Sequence, residues 1–252
     1  MVMNLPRPAI FAHRGASAYA PENTLAAFKL AVDQGADAIE LDAKLCADGQ
    51  IIVIHDQTVE RTSNGAGKVA DLPLSALQEL DAGSWFGLEF KGEPIPTLDE
   101  VFEAVGQKIF INIELTNYAS PRDLLPDKVA ELIKRHNLQS QVMFSSFNPL
   151  ALRRAHKLLP ENFLGLLTPA GIAGVWARSW LGSCLVPYGA LHPELKDVTV
   201  KLIARQHTRG RRVHTWTVNI PEDMAQLFQW GVDGIFTDDP LLAQKIRGEV
   251  QV

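Results

Sequence analysis

Residues 38–56, AIELDAKLCADGQIIVIHD, read as two short strands joined by an Asp48-Gly49 turn. Successive side chains of an extended chain point to opposite faces, so Glu40, Asp42 and Lys44 project from one side. Two carboxylates spaced i, i+2 beside a lysine make a poor apolar core. Their hard oxygens make a good seat for one divalent cation, Mg2+ or Ca2+. His55 then closes the second strand next to Asp56. The bland alternative is a solvated strand edge with an ordinary histidine, and the stretch alone leaves both readings open.

Upstream, the apolar run Ala9-Ile10-Phe11-Ala12 leads into His13-Arg14-Gly15, a strand ending in charged groups. Pro21-Glu22-Asn23-Thr24 opens a helix with Leu25, Phe28, Leu30 and Val32 as apolar positions, and Gly35 ends it. Downstream, residues 57–97 break the pattern with Asn64-Gly65-Ala66-Gly67, Trp85-Phe86-Gly87 and three prolines. This segment is expected to be a compact insertion over one end of the domain, since loops of this length are usually functional or disordered.

Beyond it the pattern alternates: helix near Leu98 to Val105, strand Ile109 to Glu114, helix Pro121 to His136, strand Val142 to Ser145, and helix Pro149 to Leu158. Next come strand Phe163 to Leu167, helix Gly171 to Trp180, strand Cys184 to Pro187 and helix Leu195 to Thr208. Strand Arg212 to Val218, helix Pro221 to Trp230 and strand Gly234 to Thr237 follow. Strands alternating with helices mean βαβ units and a parallel sheet. With 252 residues and 46% apolar content, the expected fold is a single TIM-type (β/α)8 barrel spanning residues 1–252. The strands outnumber eight, so one or two must lie outside the barrel. In the helix after the strand ending near Leu167-Thr168, Ile172, Val175, Trp176 and Trp180 form one stripe. Such a stripe usually packs a barrel helix on its strands; on the catalytic rim, its tryptophans could instead meet an acyl chain or a membrane interface.

The net charge of −5 is spread over interspersed signs, which argues against nucleic acid or an anionic membrane as a partner. No apolar run is long enough for a membrane span, and stable membrane insertion is not expected. Two cysteines, Cys46 and Cys184, and a start without a signal peptide's long apolar core lead us to expect a cytoplasmic location.

His13, Glu40, Asp42, His55, Glu114 and Trp216 all fall near C-terminal ends of strands. A parallel barrel gathers those ends on one face, where active sites sit. Three acids, Glu40, Asp42 and Glu114, would hold a cation and leave positions for substrate oxygens. The alternative for Glu114 is a buried strand carboxylate paired with a basic side chain. Two histidines can serve as general acid and base, and Arg14 offers a planar fork that suits a phosphate. Together these describe phosphoester chemistry; a G-x-S-x-G elbow and the Rossmann and P-loop glycine patterns are absent. His192 is expected to be structural or on the rim, and His136, His156, His207 and His214 to be surface or core.

His13-Arg14-Gly15, Pro21 to Thr24, Glu40-Leu41-Asp42, Asp48-Gly49 through His55-Asp56, and Arg61-Thr62 to Gly67 resemble the glycerophosphodiester phosphodiesterase signature. Asn112-Ile113-Glu114, Trp216 to Asn219 and Gly231 to Asp238 resemble its later blocks, so the likeness covers nearly the whole chain in order. The resemblance implies a barrel with a small insertion after the third strand and hydrolysis of small glycerophosphodiesters to sn-glycerol 3-phosphate and an alcohol. It implies His13 and His55 as the acid/base pair, Glu40, Asp42 and Glu114 as metal ligands, Arg14 on the phosphate and Trp216 beside the glycerol. The chain departs from the family where a lysine usually binds the phosphate, two residues beyond the glutamate: here stands Thr116. Lys44, on the face of Glu40 and Asp42, is expected to supply part of the missing charge. A lysophospholipase D has the same chemistry on an acylated substrate, and a catalytically weak binding module is the remaining alternative.

Overall fold

The structure is a computed structural model that describes residues 4–118, 120–179 and 184–250. Nine strands form one sheet: β1 Ala9–Ala12, β2 Ala38–Leu45, β3 Ile51–Val53, β4 Phe110–Leu115, β5 Val142–Ser146, β6 Phe163–Thr168, β7 Ala190–Pro193, β8 Arg212–Thr215 and β9 Gly234–Thr237. Eight of them run parallel, and β1 pairs with both β2 and β9, which closes the barrel. β3 is the surplus strand; it runs antiparallel beside β2 through the pairs Ala43–Val53 and Leu45–Ile51. The Asp48-Gly49 turn makes that reversal, with Gly49 at φ 73°.

Alternation sorts the strand residues into two layers. Ile39, Leu41 and Ala43 of β2, Ile111, Ile113 and Leu115 of β4, and Val142 and Phe144 of β5 face outward against the helices. Ala9, Phe11, Ala38, Phe110, Met143 and Phe236 face inward and plug the floor of the barrel. Above that plug the inward positions turn polar: Glu40 and Asp42 on β2, opposite Asn112 and Glu114 on β4. Apolar floor and polar mouth thus follow from one phase of alternation along each strand.

Helices close over the outer layer. Leu25–Asp33 starts at Thr24, whose side chain accepts from the Ala27 N–H, and Leu98–Val105 starts at a reciprocal Thr97–Glu100 capping box. Between β3 and that second helix, Leu74–Gln78 is helical. Cys46, Ile52, Ile54, Val59, Val69, Leu77, Ala82 and Ile95 form a separate small core there. Among the described residues, no helix is long and apolar enough to cross a membrane.

Two expectations need correction. Cys184 to Pro187 is not a strand; the sixth barrel strand is β7, Ala190–Pro193, which places His192 in the barrel wall, the structural and not the rim alternative. The segment after β6 is not one helix but a 3-10 turn, Gly171–Gly174, and a short helix, Val175–Arg178. Trp180 and the side chain of Trp176 lie outside the described residues. A last helix, Pro240–Val250, packs on β1 and was not read from the sequence.

His192 and His214 are both buried inside the barrel, their rings joined through Nε2 and Nδ1 at 3.2 Å. Gly165 on β6 makes room for this: a Cβ there would lie 2.2 Å from the His192 ring. Burial pushes His192 down to about 3, and burial together with His192 pushes His214 well below the ordinary range. In the unfolded chain both titrate near ~6.5. Below that pH the unfolded state takes up protons that the folded state refuses. Stability from these groups is therefore complete above about 6.5 and is lost as the pH falls toward 3, by up to about 1.4 kcal/mol per pH unit for each histidine. Denaturant melts between roughly pH 7 and 4.5 should show a shallower slope in His192→Asn; an unchanged slope would remove His192 as a cause.

Candidate active site

The mouth of the barrel is built from strand ends that adjoin in space. The register sets Glu40 opposite Asn112 and Asp42 opposite Glu114. One oxygen each from Glu40, Asp42 and Glu114 lies within 4.8 Å of the others. Burial, then Asp42 and Glu114, push the Glu40 carboxyl well above its ordinary range. Burial and Asp42 raise Glu114 to about 7. Burial works on Asp42 too, but Arg14, His55 and the Asn23 amide outweigh it and hold Asp42 below the carboxylate range. Crowded, buried, hard oxygens of this kind fit a divalent cation, which would relieve their mutual repulsion.

The His13-Arg14-Gly15 turn wraps against this cluster. Arg14 and Gly15 both have positive φ, 58° and 87°, and a Cβ at Gly15 would strike Ala27 at 2.6 Å. That tight approach aims the Arg14 N–H at Glu40 Oε2, 3.0 Å away. The Arg14 guanidinium donates to Glu22 at 2.8 Å and lies 3.4 Å from Asp42. Although burial works against it, Asp42, Glu22 and Glu40 together hold Arg14 above its ordinary pKa, so it stays charged.

Each histidine at the mouth is anchored by a carboxylate. His13 Nδ1 donates to Asp238 at 2.6 Å, and Asp238 also accepts from Asn219 Nδ2 at 2.6 Å and Ser17 Oγ at 3.1 Å. His55 Nδ1 donates to Asp56, also at 2.6 Å. Arg61 grips Asp56 through two hydrogen bonds of 2.6 and 3.1 Å and Glu22 through two of 2.8 Å. The Arg61 bonds, chiefly, hold Asp56 at about 2, so it is an anion that accepts the hydrogen bond from the Nδ1–H. Burial acts against ionisation of Asp238, but the bond from His13 and those from Asn219 and Ser17 bring it below the ordinary range. In both pairs the ionised carboxylate fixes the proton on Nδ1 and leaves Nε2 as the reactive nitrogen.

The cavity at the mouth is lined by His13, Arg14, Glu40, His55, Asn112, Glu114, Ser145, Phe147, Leu167, Trp216 and Phe236. One wall is polar and the other apolar. Trp216 packs edge-on to Phe147 at 5.6 Å and is steered by its Nε1–H bond to the His192 carbonyl at 2.8 Å. Asn112 is buried, with Nδ2 spent on Ser145 Oγ at 2.8 Å and Oδ1 without a hydrogen-bond partner. Lys44 and Thr116 meet each other instead of the cavity: Lys44 Nζ donates to Thr116 Oγ1 at 2.6 Å, and that hydroxyl donates to the Ala43 carbonyl at 2.7 Å. Burial lowers the Lys44 pKa, while Asp42, Glu114 and Asp56 oppose the shift. Tyr118, whose hydroxyl donates to Glu114, packs edge-on to Phe147 at 5.8 Å.

The sequence-derived residues His13, Arg14, Glu40, His55, Glu114 and Trp216 thus share one cavity, with Asp42 directly behind it and Lys44 with Thr116 one step beyond Asp42 and Glu114. Glu22, Asp56, Arg61, Asn112 and Asp238 fall within the signature segments without an assigned role, and Phe147 was not singled out. Asp56 and Asp238 carried a usable signal, since one adjoins His55 and the other follows a strand end. Asn112 repeats on β4 the i, i+2 spacing of Glu40 and Asp42.

Fold and mouth define a (β/α)8 barrel that gathers charged groups from distant strands around one small opening. The chain belongs to the glycerophosphoryl diester phosphodiesterase family, whose model matches residues 13–242. It is 43% identical, over 92% of its length and 94% of the relative's, to a glycerophosphodiester phosphodiesterase of Caldanaerobacter subterraneus subsp. tengcongensis. It is 38% identical to a glycerophosphodiester phosphodiesterase of Bacillus altitudinis, over 96% of this chain and 99% of that one. Among solved structures, an Oleispira antarctica phosphodiesterase in complex with its product sn-glycerol-3-phosphate superposes with a TM-score of 0.88 at 35% identity, covering 95% of this chain and 96% of that one.

Proposed function

We propose that this protein hydrolyses glycerophosphodiesters to sn-glycerol 3-phosphate and an alcohol, with His13 and His55 exchanging protons and one divalent cation, Mg2+ or Ca2+, held by Glu40, Asp42 and Glu114. The observation that carries this reading is the pair of carboxylate-anchored histidines flanking a three-carboxylate cluster in one cavity. The product bound to the Oleispira phosphodiesterase supports the substrate class. A cation there would supply Lewis-acid polarisation of the phosphoryl oxygens.

The chain's own groups do the rest. Arg14, held charged between Glu22 and Asp42, sets a positive charge beside the anionic ester. One histidine Nε2 takes the proton of the attacking water, and the other gives a proton to the leaving alcohol oxygen; where a free glycerol hydroxyl attacks instead, the cyclic phosphate it forms is opened by water in a second step to give sn-glycerol 3-phosphate. Phosphorus gains the new oxygen as its bond to the alcohol breaks. Asn112 Oδ1, a buried acceptor with no hydrogen-bond partner, suits a glycerol hydroxyl, and Trp216 and Phe147 face the carbon skeleton. Two free cysteines, Cys46 and Cys184, support a cytoplasmic setting. The apolar wall of Phe147, Leu167 and Trp216 favours a second reading, in which acylated diesters also enter.

Assays on glycerophosphocholine, glycerophosphoethanolamine and lysophosphatidylcholine, with each cation and after chelation, test the proposal. Turnover of a soluble diester is expected; a flat result on all three with both cations would favour a binding module. Lys44 and Thr116 provide a finer test. The Nζ–Oγ1 bond places a buried ammonium beside Thr116, within electrostatic reach of Asp42 and Glu114. Lys44→Met is expected to lower kcat/KM by about tenfold, the scale of one charge-assisted hydrogen bond, and Thr116→Lys in that background to recover part of it. A silent Lys44→Met would end the idea that Lys44 supplies charge to the site.

A further inference from the structure

The two histidines at the mouth are anchored differently. Asp238, opposite His13, is fixed by neutral donors, the Asn219 amide and the Ser17 hydroxyl. Asp56, opposite His55, accepts from Arg61 Nε at 2.6 Å and Nη2 at 3.1 Å, and Arg61 belongs to the segment that follows β3. The His55 side chain is 43% exposed, so packing alone does not hold the ring. Its placement depends on what holds Arg61.

Glu22 holds it. Glu22 Oε2 accepts from Arg61 Nη1, and Oε1 accepts from both Arg61 Nη2 and Arg14 Nη1, each at 2.8 Å. One carboxylate oxygen thus joins the arginine behind His55 to the arginine beside the three-carboxylate cluster. Both ends of this bridge are pinned. Asn23, at φ 59°, donates its N–H to the Arg14 carbonyl at 2.9 Å and its amide to Asp42 Oδ2, also at 2.9 Å. Val59 and Thr62 are buried, and the Ser63 hydroxyl donates to the Val59 carbonyl at 2.7 Å, which seats the turn bearing Arg61. Although burial works against ionisation, Arg61 and Arg14 hold the Glu22 carboxyl below its ordinary range. Neither Glu22 nor Arg61 lines the cavity at the mouth. The Glu22 anion opposes the approach of a negatively charged diester, so what it contributes is geometry.

We propose that Glu22 and Arg61 are positioning residues, which tie the His55–Asp56 pair to Arg14 so that the proton-transferring nitrogen and the guanidinium keep one fixed spacing. The proposal rests on the hydrolase reading above. Reacting geometry is sensitive at this scale, since a displacement of about 1 Å can cost on the order of 10²-fold in rate.

The test is a double-mutant cycle on glycerophosphocholine turnover with Arg61→Met, Asp56→Asn and their combination, read together with the tautomer of the neutral His55 ring by 15N NMR. Arg61→Met should lower kcat by about tenfold or more with KM within about twofold, and Arg61→Lys, which keeps the charge without the fork, should recover part of the loss. Glu22→Gln should lower kcat and raise KM, because it releases both arginines. The combined variant should be about as slow as the worse single variant, because both substitutions act through one ring. The native ring should carry its proton on Nδ1, and in Arg61→Met the Nε2–H form should appear beside it. Losses that multiply in the cycle, a single unchanged tautomer in Arg61→Met, or a Glu22→Gln variant whose KM falls at native kcat overturns the proposal. Absence of glycerophosphocholine turnover in the native protein would instead sink the hydrolase reading, and the ring tautomer would still judge the bridge.

Discussion

His55→Ala and His13→Ala are each expected to lower kcat on the order of 10²-fold or more, the usual scale for a positioned acid or base. Each ring reaches the cavity with Nδ1 tied to an ionised carboxylate 2.6 Å away, so its tautomer and orientation are set before substrate arrives. Neither ring is in the apolar plug or the outer helix-packing core, so the loss should appear in turnover with little change in thermal stability. The anchors give a graded version of the result. Asp238→Asn leaves an amide opposite His13 Nδ1, and Asp56→Asn leaves one opposite His55 Nδ1. Both variants should reduce kcat less than deletion of the ring and displace the pH–rate profile, which a purely structural defect would not do. Near-native turnover in either alanine variant would take that histidine out of the reaction.

Cation removal is expected to have an effect of comparable size. The buried Glu40 and Asp42 and the half-buried Glu114 bring three carboxyls together, and the Glu40 and Glu114 carboxyls are pushed upward by desolvation and by their acidic neighbours. Arg14 and Lys44 offset part of that repulsion. Chelation should abolish hydrolysis, and Mg2+ or Ca2+ should restore it. Binding also has a readout independent of turnover. A cation at about one hundred times its Kd stabilises the folded state by roughly 2.7 kcal/mol. At about 2–4 °C per kcal/mol for a chain of this size, Tm should rise by roughly 5–10 °C. Glu114→Gln should lose both the Tm rise and the activity. Full activity after exhaustive chelation would remove the cation from the account.

Much of this site could be read from the chain because a barrel converts strand ends into neighbours. Glu40 and Asp42 stood out because alternation puts two acids on one face of an otherwise apolar strand, and His13 and Glu114 sit at strand ends by the same logic. What pairing alone decides was hidden. Asp238 lies 225 residues from His13, and Lys44 lies 72 from Thr116, so neither bond has a local signature. β7 was misplaced because Cys184-Leu185-Val186 looks more like a buried strand than Ala190-Leu191-His192-Pro193. A histidine inside a barrel wall breaks the apolar pattern, and its room comes from Gly165 on the neighbouring strand, a contact no spacing rule shows. The surplus strand was legible as a count and not as an identity. Only the antiparallel pairing of β3 on β2 shows which one stands outside.

The most direct test of the central claim is which phosphorus–oxygen bond is broken, followed by 31P NMR on glycerophosphocholine with Mg2+ or Ca2+ present. The account predicts that the diester resonance gives way to sn-glycerol 3-phosphate alone, and that the conversion stops with chelator and in His55→Ala. Appearance of phosphocholine instead, or unchanged conversion by the chelated protein, would contradict it.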